Sequence, residues 1–490
     1  MSMDFNIGLA MAKSVRRNEG KIAFVGPNEK MTYNQFEKLM AALTLEFKER
    51  GVGRESVLGI YTIDSRLALA AVAAANLLGA PWVHGTPDSL NKPSLKVSHV
   101  LCSKNAKQKP AHSNLIEFER SWMSRNDLDY WYEKVDPQGF ASSEDTVRIG
   151  KSSGTTGAPK FIALTEIDNY DRMLWAPELM TKRTIALGCL FPPLSGIGCN
   201  SRVRTLLTGG KIVETGIVDK QSGWLSEGVN TIVASPSQYS TLLNEMADDP
   251  NRRFANALVG GGRPSSQFLS QMTEHFDQIL VFYGSTEMGH AGETLIKDVS
   301  TYDGEIYPLV DMSVEVQIVD ENDVPQPAGV EGLVRLRREG ANPKYFPDPL
   351  ANTDAIRGGW FYPGDLGVKA EDGSFKISGR ADDNLNIGGV KINALTMDDA
   401  IQSYFGISDG YCFVKPNENG IDAINILVTF KAGLPALESS KLLIEHVKKH
   451  SPSSLHPRAV YVVNAVPRTD TGKPMRRKAA ELVETLNPVL

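Results

Sequence analysis

A ten-residue segment rich in glycine and hydroxyl groups constrains this chain more than any other. Residues 151–160 read Lys-Ser-Ser-Gly-Thr-Thr-Gly-Ala-Pro-Lys and follow a short β-like run at residues 146–149. Glycine lets the backbone adopt φ > 0 and approach a ligand, and successive N–H groups in such a turn can surround an anion. With the charge of Lys160, the segment predicts a polyphosphate-binding loop, although a flexible linker has a similar composition. It lacks the Gly-x-x-x-x-Gly-Lys-Ser/Thr pattern of a Walker A loop.

Length and composition indicate a soluble protein of several structural units. The chain has 490 residues, 41% hydrophobic and 22% charged, which suggests about three units with ample core. A net charge of -6 without a dominant basic patch argues against nucleic acid as a partner. The four cysteines are scattered without a C-x-x-C pair, as is typical of reduced thiols in the cytoplasm.

No membrane association is expected from the apolar segments. The N-terminus lacks a basic region followed by an apolar one, so we expect no secretion signal. The longest apolar run, at residues 67–78, is far shorter than the ~20 residues of a membrane span and ends at Gly-Ala-Pro. We therefore predict a buried helix there and a cytoplasmic protein.

Alternating strand and helix patterns predict an α/β fold. Thr32 and Gln35 have the spacing of a capping box that opens a helix ending near Gly51. Strands are predicted at residues 57–61, 231–234, 257–259 and 279–282, with helices at residues 239–246 and 266–275 between the later ones. This alternation favours two subdomains with parallel sheets covered by helices.

The pattern changes after residue 311. Residues 314–319 and 332–337 alternate apolar and polar side chains, which predicts antiparallel strands of a barrel-like unit. Strands near residues 410–414, 423–430 and 459–463 and a helix near residues 438–449 predict a small α+β C-terminal domain. We expect a large N-terminal domain at residues 1–381 and a small C-terminal domain at residues 382–490.

Further motifs follow the loop in a fixed order. They are Gly-Gly-Gly-Arg-Pro at residues 260–264, Phe-Tyr-Gly-Ser-Thr-Glu at 282–287, Trp-Phe-Tyr-Pro-Gly-Asp-Leu-Gly at 360–367, Gly-Arg-Ala-Asp-Asp-Asn-Leu-Asn-Ile-Gly-Gly-Val-Lys at 379–391 and Pro-Arg-Thr-Asp-Thr-Gly-Lys-Pro-Met-Arg-Arg at 467–477. The second of them offers an aromatic ring, a hydroxyl and a carboxylate at a strand end, where α/β folds build ligand sites. Taken singly, several of the others would be ordinary turns or a solvated surface.

Together, these motifs resemble those of the adenylate-forming superfamily, which includes acyl- and aryl-CoA synthetases, carrier-protein adenylation domains and beetle luciferases. The resemblance covers nearly the whole chain and is weaker at the N-terminus. It implies catalytic roles for Lys473, Thr286 and Glu287, with Lys473 bridging the substrate carboxylate and the α-phosphate, Thr286 touching that phosphate and Glu287 ligating Mg²⁺. It implies that ATP and the thiol cofactor are bound by Ser153, Thr155, Thr156, Lys160, Gly260, Gly261, Gly262, Tyr283, Gly284, Ser285, Asp365, Arg380, Gly389 and Lys391.

Within that set, the resemblance distinguishes the parts of the nucleotide. The loop residues would hold the β- and γ-phosphates, the glycines and Tyr283 would contact adenine, and Asp365 would bind the ribose hydroxyls with help from Arg380. Asp382 would be a hinge about which the small domain swings between two half-reactions. The first would form an acyl-adenylate from acid and ATP; the second would form a thioester on coenzyme A.

The substrate pocket departs from better-known members of the superfamily. The pocket candidates implied by the resemblance are Leu194, Ser195, Gly196, Ser235 and His290. The turn at residues 194–196 carries no aspartate that could pair with an α-ammonium group, and an unpaired buried charge is costly. We therefore expect a neutral-tailed aryl or medium-chain acyl acid rather than an amino acid. Phe161 and Lys391 replace a glycine and an arginine common in the superfamily, and Lys391 loses the planar fork of arginine.

Two alternatives remain open at this stage. The enzyme could load an acid onto the phosphopantetheine arm of a carrier protein, or it could be an inactive nucleotide-binding relative. The presence of Lys160, Glu287 and Lys473 argues against the inactive alternative.

Overall fold

Strands and helices alternate through much of the chain, as the sequence predicts. A computed structural model describes residues 6–129, 131, 143–152, 160–174, 184–214, 220–246, 253–262, 264, 266–298, 306–307, 314–338, 344–346, 355–381, 384–387, 390–416, 422–450, 456–469 and 472–490. The chain divides into two compact units, each of which is assembled from separate stretches of sequence. Unit 1 comprises Met1–Val233, Gly284–His290 and Gly340–Thr353; unit 2 comprises Ala234–Tyr283, Ala291–Glu339 and Asp354–Leu490.

The helices and strands are numbered in chain order. The helices are α1 Ile7–Arg17, α2 Tyr33–Glu49, α3 Ser65–Leu77, α4 Pro87–Leu90, α5 Glu166–Leu174, α6 Gly196–Leu207, α7 Lys220–Ser226, α8 Pro236–Met246, α9 Ser266–Thr273, α10 Ala394–Gln402, α11 Ala436–His450 and α12 Arg476–Leu482. The strands are β1 Ile22–Val25, β2 Lys30–Thr32, β3 Leu58–Tyr61, β4 Trp82–His84, β5 His99–Ser103, β6 Leu115–Phe118, β7 Thr146–Ser152, β8 Lys160–Thr165, β9 Ala186–Cys189, β10 Lys211–Val213, β11 Thr231–Ala234, β12 Phe254–Val259, β13 Phe276–Ser285, β14 Gly289–Ile296, β15 Ile306–Tyr307, β16 Val314–Val319, β17 Gly332–Arg338, β18 Lys344–Phe346, β19 Ile356–Arg357, β20 Trp360–Phe361, β21 Asp365–Lys369, β22 Phe375–Arg380, β23 Asn384–Ile387, β24 Val390–Asn393, β25 Ile407–Pro416, β26 Asp422–Phe430 and β27 Ala459–Val462.

Unit 1 contains two parallel-type arrays of strands. One sheet has the order β18-β8-β7-β4-β3-β5-β6, in which the strands from β7 to β6 are parallel and β8 and β18 are antiparallel additions. The other array follows β11-β9-β10-β1-β2 and is parallel except at β2. Parallel strands end at the same edge of a sheet, so the segments that follow them are placed near one another.

Unit 2 combines a parallel pair with antiparallel sheets. Strands β12 and β13 are parallel neighbours. A seven-stranded sheet has the order β15-β22-β21-β17-β20-β19, with β16 paired to β17, and every pairing in it is antiparallel. The C-terminal part has its own buried core between β25-β26-β27 and the helices α10 and α11. The boundary at residues 381 and 382 stays a prediction.

Several local predictions are confirmed by the structure. The backbone N–H of Thr32 donates to the Gln35 side chain at 2.8 Å, and the Gln35 N–H donates to the Thr32 hydroxyl at 3.2 Å, so the capping box at α2 is complete. Helix α3 is buried, and β16 and β17 alternate as expected. All four cysteines are free thiols.

Within the described residues, no helix combines the length and apolar character needed to cross a membrane.

A buried carboxyl group joins the first residues of α5 to α1. Glu166 is 1% exposed, and one of its oxygens accepts a hydrogen bond from the backbone N–H of Ile7 at 2.8 Å. Its other oxygen and the side-chain amide of Asn169, one helical turn later, have no hydrogen-bond partner within the described part of the chain. Burial raises the pKa of Glu166 to about 8, because a carboxylate there would lose its hydration.

This carboxyl group makes stability depend on pH. Its pKa is raised above the ordinary 4.5, so between those two values the folded protein binds a proton that the unfolded chain releases. The free energy of unfolding should therefore fall as the pH rises through this window, by up to about 1.4 kcal/mol per pH unit. Glu166→Gln keeps the acceptor without the charge and should flatten this slope.

Urea unfolding at pH 6 and pH 8 measures the effect. The exposed Glu371→Gln is the matched control and should retain the slope of the wild-type protein. Parallel pH profiles for Glu166→Gln and the wild type would contradict the assignment.

Candidate functional site

In unit 2, three of the predicted nucleotide-binding residues are linked by hydrogen bonds. Asp365 begins β21 and lies opposite Arg380 in β22, whose guanidinium Nη1 donates to the carboxylate Oδ1 at 3.2 Å. The hydroxyl of Tyr283, near the end of β13, donates to the other oxygen, Oδ2. The ring of Tyr283 packs edge-on against Phe375, with the centroids 5.7 Å apart. Asp365 is thus held in one orientation, and each oxygen keeps a lone pair that can accept a hydroxyl group.

The glycine motif after β12 is required by the packing of the protein itself. The Gly260 N–H donates to the Ala234 carbonyl at 3.2 Å, and a Cβ at Gly260 would lie 2.2 Å from the Phe282 ring. The resemblance implies that these glycines contact adenine, whereas the described ring next to Gly260 within this unit is that of Phe282. Gly261 has a φ of 78°, which favours glycine.

The segment that contains Lys473 is an internally braced hairpin. The Thr469 N–H donates to the Lys473 carbonyl at 2.9 Å, and the Lys473 N–H donates to the Thr469 hydroxyl at 3.1 Å. Arg468 donates to the Gly472 carbonyl at 2.8 Å and to the Asp409 carboxylate at 2.7 Å. The brace is partly buried, and it fixes the shape of the hairpin from within the C-terminal part of the chain.

Gly472 in this hairpin lies against the turn that follows β11. Gly472 has a φ of 83°, and a Cβ there would lie 2.7 Å from the Ser237 hydroxyl oxygen and 2.9 Å from that of Ser235. Ser235 also opens α8, because its N–H donates to the Gln238 side chain at 2.9 Å. Because position 472 is glycine, the backbone beside Lys473 can lie close to the predicted pocket residue Ser235.

In unit 1, an arginine holds the turn that carries Thr286 and Glu287. Arg172, in α5, donates through Nη1 to the Thr286 carbonyl at 2.6 Å and through Nη2 to the Glu287 carbonyl at 2.9 Å. Its side chain also lies against Gly289, where a Cβ would be 3.3 Å from Arg172 Cγ. Sequence reasoning missed Arg172, since nothing distinguishes it from the other polar residues of an amphipathic helix.

The same turn is in contact with the strand that leads into the phosphate loop. A Cβ at Gly150 in β7 would lie 3.0 Å from Thr286 Cγ2. Ser152 pairs with Lys160, so the loop connects the ends of two adjacent antiparallel strands, β7 and β8. The two described ends of the predicted loop and the predicted catalytic turn therefore lie within one unit.

The carboxylate of Glu287 suits a magnesium ion that keeps its water and phosphate ligands. The residue is 8% exposed and supplies a hard oxygen donor. Among the described residues there is no group of three or more His, Cys, Asp or Glu side chains placed to bind a metal. A single carboxylate fits Mg²⁺, which is commonly held by one or two carboxylates together with the phosphates of its substrate.

The predicted pocket turn at residues 194–196 forms the N-terminus of α6. The Ser195 hydroxyl donates to the Pro192 carbonyl at 2.9 Å and accepts from the Gly198 N–H at 3.1 Å, so it caps the helix. The Leu194 carbonyl accepts from a buried arginine, Arg148, at 3.4 Å. Gly196 is open, with no described atom within 4 Å of the position of a Cβ.

The remaining predicted residues are distributed as follows. Gly284 and Ser285 end β13, His290 lies in β14, and Lys391 lies in β24. Ser153, Thr155, Thr156, Asp382 and Gly389 lie outside the described residues.

Comparison with known proteins identifies the family. The family model for AMP-binding enzymes matches residues 11–346. A probable CoA ligase of Humulus lupulus is 29% identical over 47% of this chain and 44% of its own length. The oxalate–CoA ligase of Saccharomyces cerevisiae is 26% identical over 70% of this chain and 64% of its own length. The chain thus spans about half to two thirds of these relatives.

The fold agrees with that family. The crystal structure of the anthranilate CoA ligase AuaEII in complex with anthranoyl-AMP superimposes with a TM-score of 0.81 at 18% identity, covering 99% of both chains. The chain belongs to the AMP-binding enzyme family, and its fold is that of the adenylate-forming enzymes. Its relatives include CoA ligases, as the order of the sequence motifs implies.

The close contact at Gly472 is open to a direct test. Gly472→Ala adds a methyl group where two hydroxyl oxygens lie within 3 Å, so we expect the hairpin to leave the Ser235 turn. Amide hydrogen exchange at residues 469–473 should become at least about 10-fold faster, because local opening would cost less free energy.

Gly433→Ala is the matched control for backbone strain. Gly433 has a φ of 84° but no described atom within 4 Å of a Cβ, so this change should leave the hairpin exchange unaltered. Equal acceleration in both variants would mean that a general loss of stability, rather than the lost contact with the serines, opens the hairpin.

Proposed function

We propose that this protein is an ATP-dependent carboxylic acid:CoA ligase that works through an acyl-adenylate. The acid would react with ATP to give acyl-AMP and pyrophosphate, and the acyl group would then pass to the thiol of coenzyme A. The observation that carries the proposal is the hairpin of Lys473 in contact with the turn after β11. Glycine at position 472 lets the backbone beside Lys473 approach the turn that follows β11, and α/β proteins bind ligands at the carboxyl ends of parallel strands.

The physical problem in this reaction is the poor reactivity of a carboxylate. Its hydroxide is a poor leaving group, so activation as a mixed anhydride with AMP must precede attack by a thiol. The displacement at the α-phosphate develops negative charge, which preorganised cations and donors stabilise better than water does. We assign Lys473 to the reacting carboxylate and α-phosphate, and Thr286 to the phosphate.

The nucleotide would be held by the residues linked above. Asp365 would accept the two ribose hydroxyls, with Arg380 and Tyr283 fixing its orientation. Tyr283 and the glycines at residues 260–262 would contact adenine, and Lys160 with the hydroxyls of the loop would bind the outer phosphates. Mg²⁺ held at Glu287 would neutralise phosphate charge as the pyrophosphate leaves.

The second half-reaction requires a different set of groups around the adenylate. We propose that residues 382–490 form a lid domain hinged at Asp382, with Gly389 and Lys391 serving the thiol half-reaction. Such a hinge needs only a few residues that absorb a backbone change. The four free cysteines support a reducing, cytoplasmic location.

The acid is proposed to be aryl or medium-chain. Among the described contacts of the turn at residues 194–196, the charged partner is the guanidinium of Arg148, which would repel an α-ammonium group. Gly196 leaves space at this turn for an apolar group. An amino acid would therefore be a poor substrate.

A product assay tests the proposal. Incubation with ATP, Mg²⁺, CoA and a panel of acids should give AMP, pyrophosphate and acyl-CoA in equal amounts. Formation of ADP, or no pyrophosphate release with any acid, would refute an adenylate mechanism. Acyl transfer to a phosphopantetheinyl carrier protein with none to CoA would favour the carrier-loading alternative instead.

The role of Lys473 separates the two half-reactions. Lys473→Ala should reduce acid-dependent ATP–pyrophosphate exchange by at least about 100-fold, because a charge that stabilises the transition state is lost. Formation of acyl-CoA from supplied acyl-AMP should be spared.

The control for this variant is Lys478→Ala, an exposed lysine on the neighbouring helix α12, which should behave as wild type in both assays. Loss of both half-reactions in Lys473→Ala would indicate damage to the fold and argue against the assigned role.

A further inference from the structure

A buried arginine in β7 has no acidic partner within the described residues. Arg148 is 3% exposed; its Nη1 donates to Asn200 Oδ1 at 3.1 Å and its Nη2 to the Leu194 carbonyl at 3.4 Å. Both acceptors are neutral, and Nε has no partner among the residues the structure describes. Arginine keeps its charge in proteins, so an uncompensated cation lies directly beneath the predicted pocket turn.

A second arginine shows how the same region neutralises a buried charge. Arg202, in α6, is also 3% exposed, but its Nε donates to the Glu214 carboxylate at 3.0 Å. Its remaining donors reach three backbone carbonyls at 3.0 to 3.1 Å. Because leaving one buried charge unpaired costs several kcal/mol, the contrast indicates that something outside the described residues compensates Arg148.

Two further nitrogen atoms without partners in the described parts of the chain lie beside Arg148. Trp82 of β4 is its register neighbour, and the guanidinium carbon lies 4.8 Å from the centre of the Trp82 ring. The indole Nε1 of Trp82 and the Nδ1 of His84 are these two atoms. Burial, together with the nearby charges of Arg148 and Lys151, lowers the pKa of His84 to about 3, so this ring is neutral at physiological pH. The indole N–H of Trp82 is thus an unused donor among the described residues, and the surroundings are electropositive.

This cluster lies on the strand face that also reaches the catalytic turn. Side chains two residues apart in a strand share a face, so Arg148 is followed on that face by Gly150, and Trp82 by His84. Gly150 touches the methyl group of Thr286, the proposed α-phosphate contact. Two residues of strand correspond to about 7 Å. His84 and Asn200 are half-buried, whereas Trp82 and Arg148 are buried.

We propose that Trp82, His84 and Arg148 form a subsite for a second carboxylate on the acid substrate. The inference rests on the proposed function and narrows its substrate to dicarboxylic acids. One carboxylate would be activated near Thr286, and the other would receive donors from the cluster. The sequence-based expectation of a neutral-tailed acid rested only on the missing partner for an ammonium group. The buried cation of Arg148 favours a negatively charged tail instead.

The test compares acids that differ only in the second carboxylate. The pairs are glutarate with pentanoate, adipate with hexanoate, and phthalate with benzoate. A hydrogen-bonded charge pair in a desolvated site should favour at least one dicarboxylate over its partner by about 10- to 100-fold in kcat/KM for pyrophosphate exchange. Calorimetric binding of the same acids, with AMP present, provides a readout that needs no turnover.

Arg148→Met should reduce the ratio of kcat/KM for a dicarboxylate to kcat/KM for its monocarboxylate partner to about 1. Arg148→Lys should retain part of this preference because the charge remains. The matched control is Arg337→Met, which removes an arginine stacked on Trp360 at 4.4 Å and should leave the preference intact. The wild-type comparison requires no variant, so misfolding of Arg148→Met does not affect it.

The outcomes separate this inference from the proposed function. Turnover of acids without a preference for dicarboxylates, or a preference that survives Arg148→Met in folded protein, would overturn the subsite and leave the ligase assignment standing. Arg148-dependent binding of a dicarboxylate without any exchange would support the subsite and overturn the ligase assignment. Absence of both binding and exchange would overturn the two together.

Discussion

The free-energy cost of removing charge from water governs the arrangement of polar groups in unit 1. Arg202 is neutralised by Glu214 and three carbonyl groups, and Glu166 retains its proton. Arg172 directs its charge at two consecutive carbonyl oxygens. These three buried or half-buried residues lie in α5 and α6, the helices that position the turn of Glu287 and the turn at residues 194–196. Stability and site geometry in this unit therefore depend on the same set of buried donors.

Glycine has a different role in the site from the one that its motifs suggest. A glycine-rich segment near a strand end is usually interpreted as space for a ligand, but at Gly260 the space is occupied by Phe282, and at Gly472 by two serine hydroxyls. In both cases the missing side chain allows two parts of the protein to approach each other. Tyr283 and Lys473, which we propose to contact the substrates, directly follow Phe282 and Gly472 in the sequence.

Local features of this chain could be predicted from sequence, whereas its long-range polar contacts could not. The capping box at Thr32 and the alternation in β16 were readable because each depends on residues a few positions apart. The bond from Arg172 to Thr286 joins residues 114 positions apart, and no period or spacing encodes it. Arg148 offered one unused signal, since an arginine within the apolar run Val-Arg-Ile of a parallel strand is unusual. The motif order predicted the family, but it did not indicate which side chains hold the motifs in place.

In the hairpin that contains Lys473, the contacts that maintain its shape differ from the contact that holds it against the turn after β11. Its shape is maintained by Arg468, Asp409 and Thr469, all from the C-terminal part of the chain. Its attachment to the turn after β11 includes the close approach of Gly472 to two small hydroxyl side chains. If residues 382–490 move as the proposed lid, substitutions at the serine turn would change how long the hairpin stays in contact with that turn, while the shape around Lys473 is kept by its own hydrogen bonds. The rate of the proposed movement and the chemistry of Lys473 would then be set by different residues.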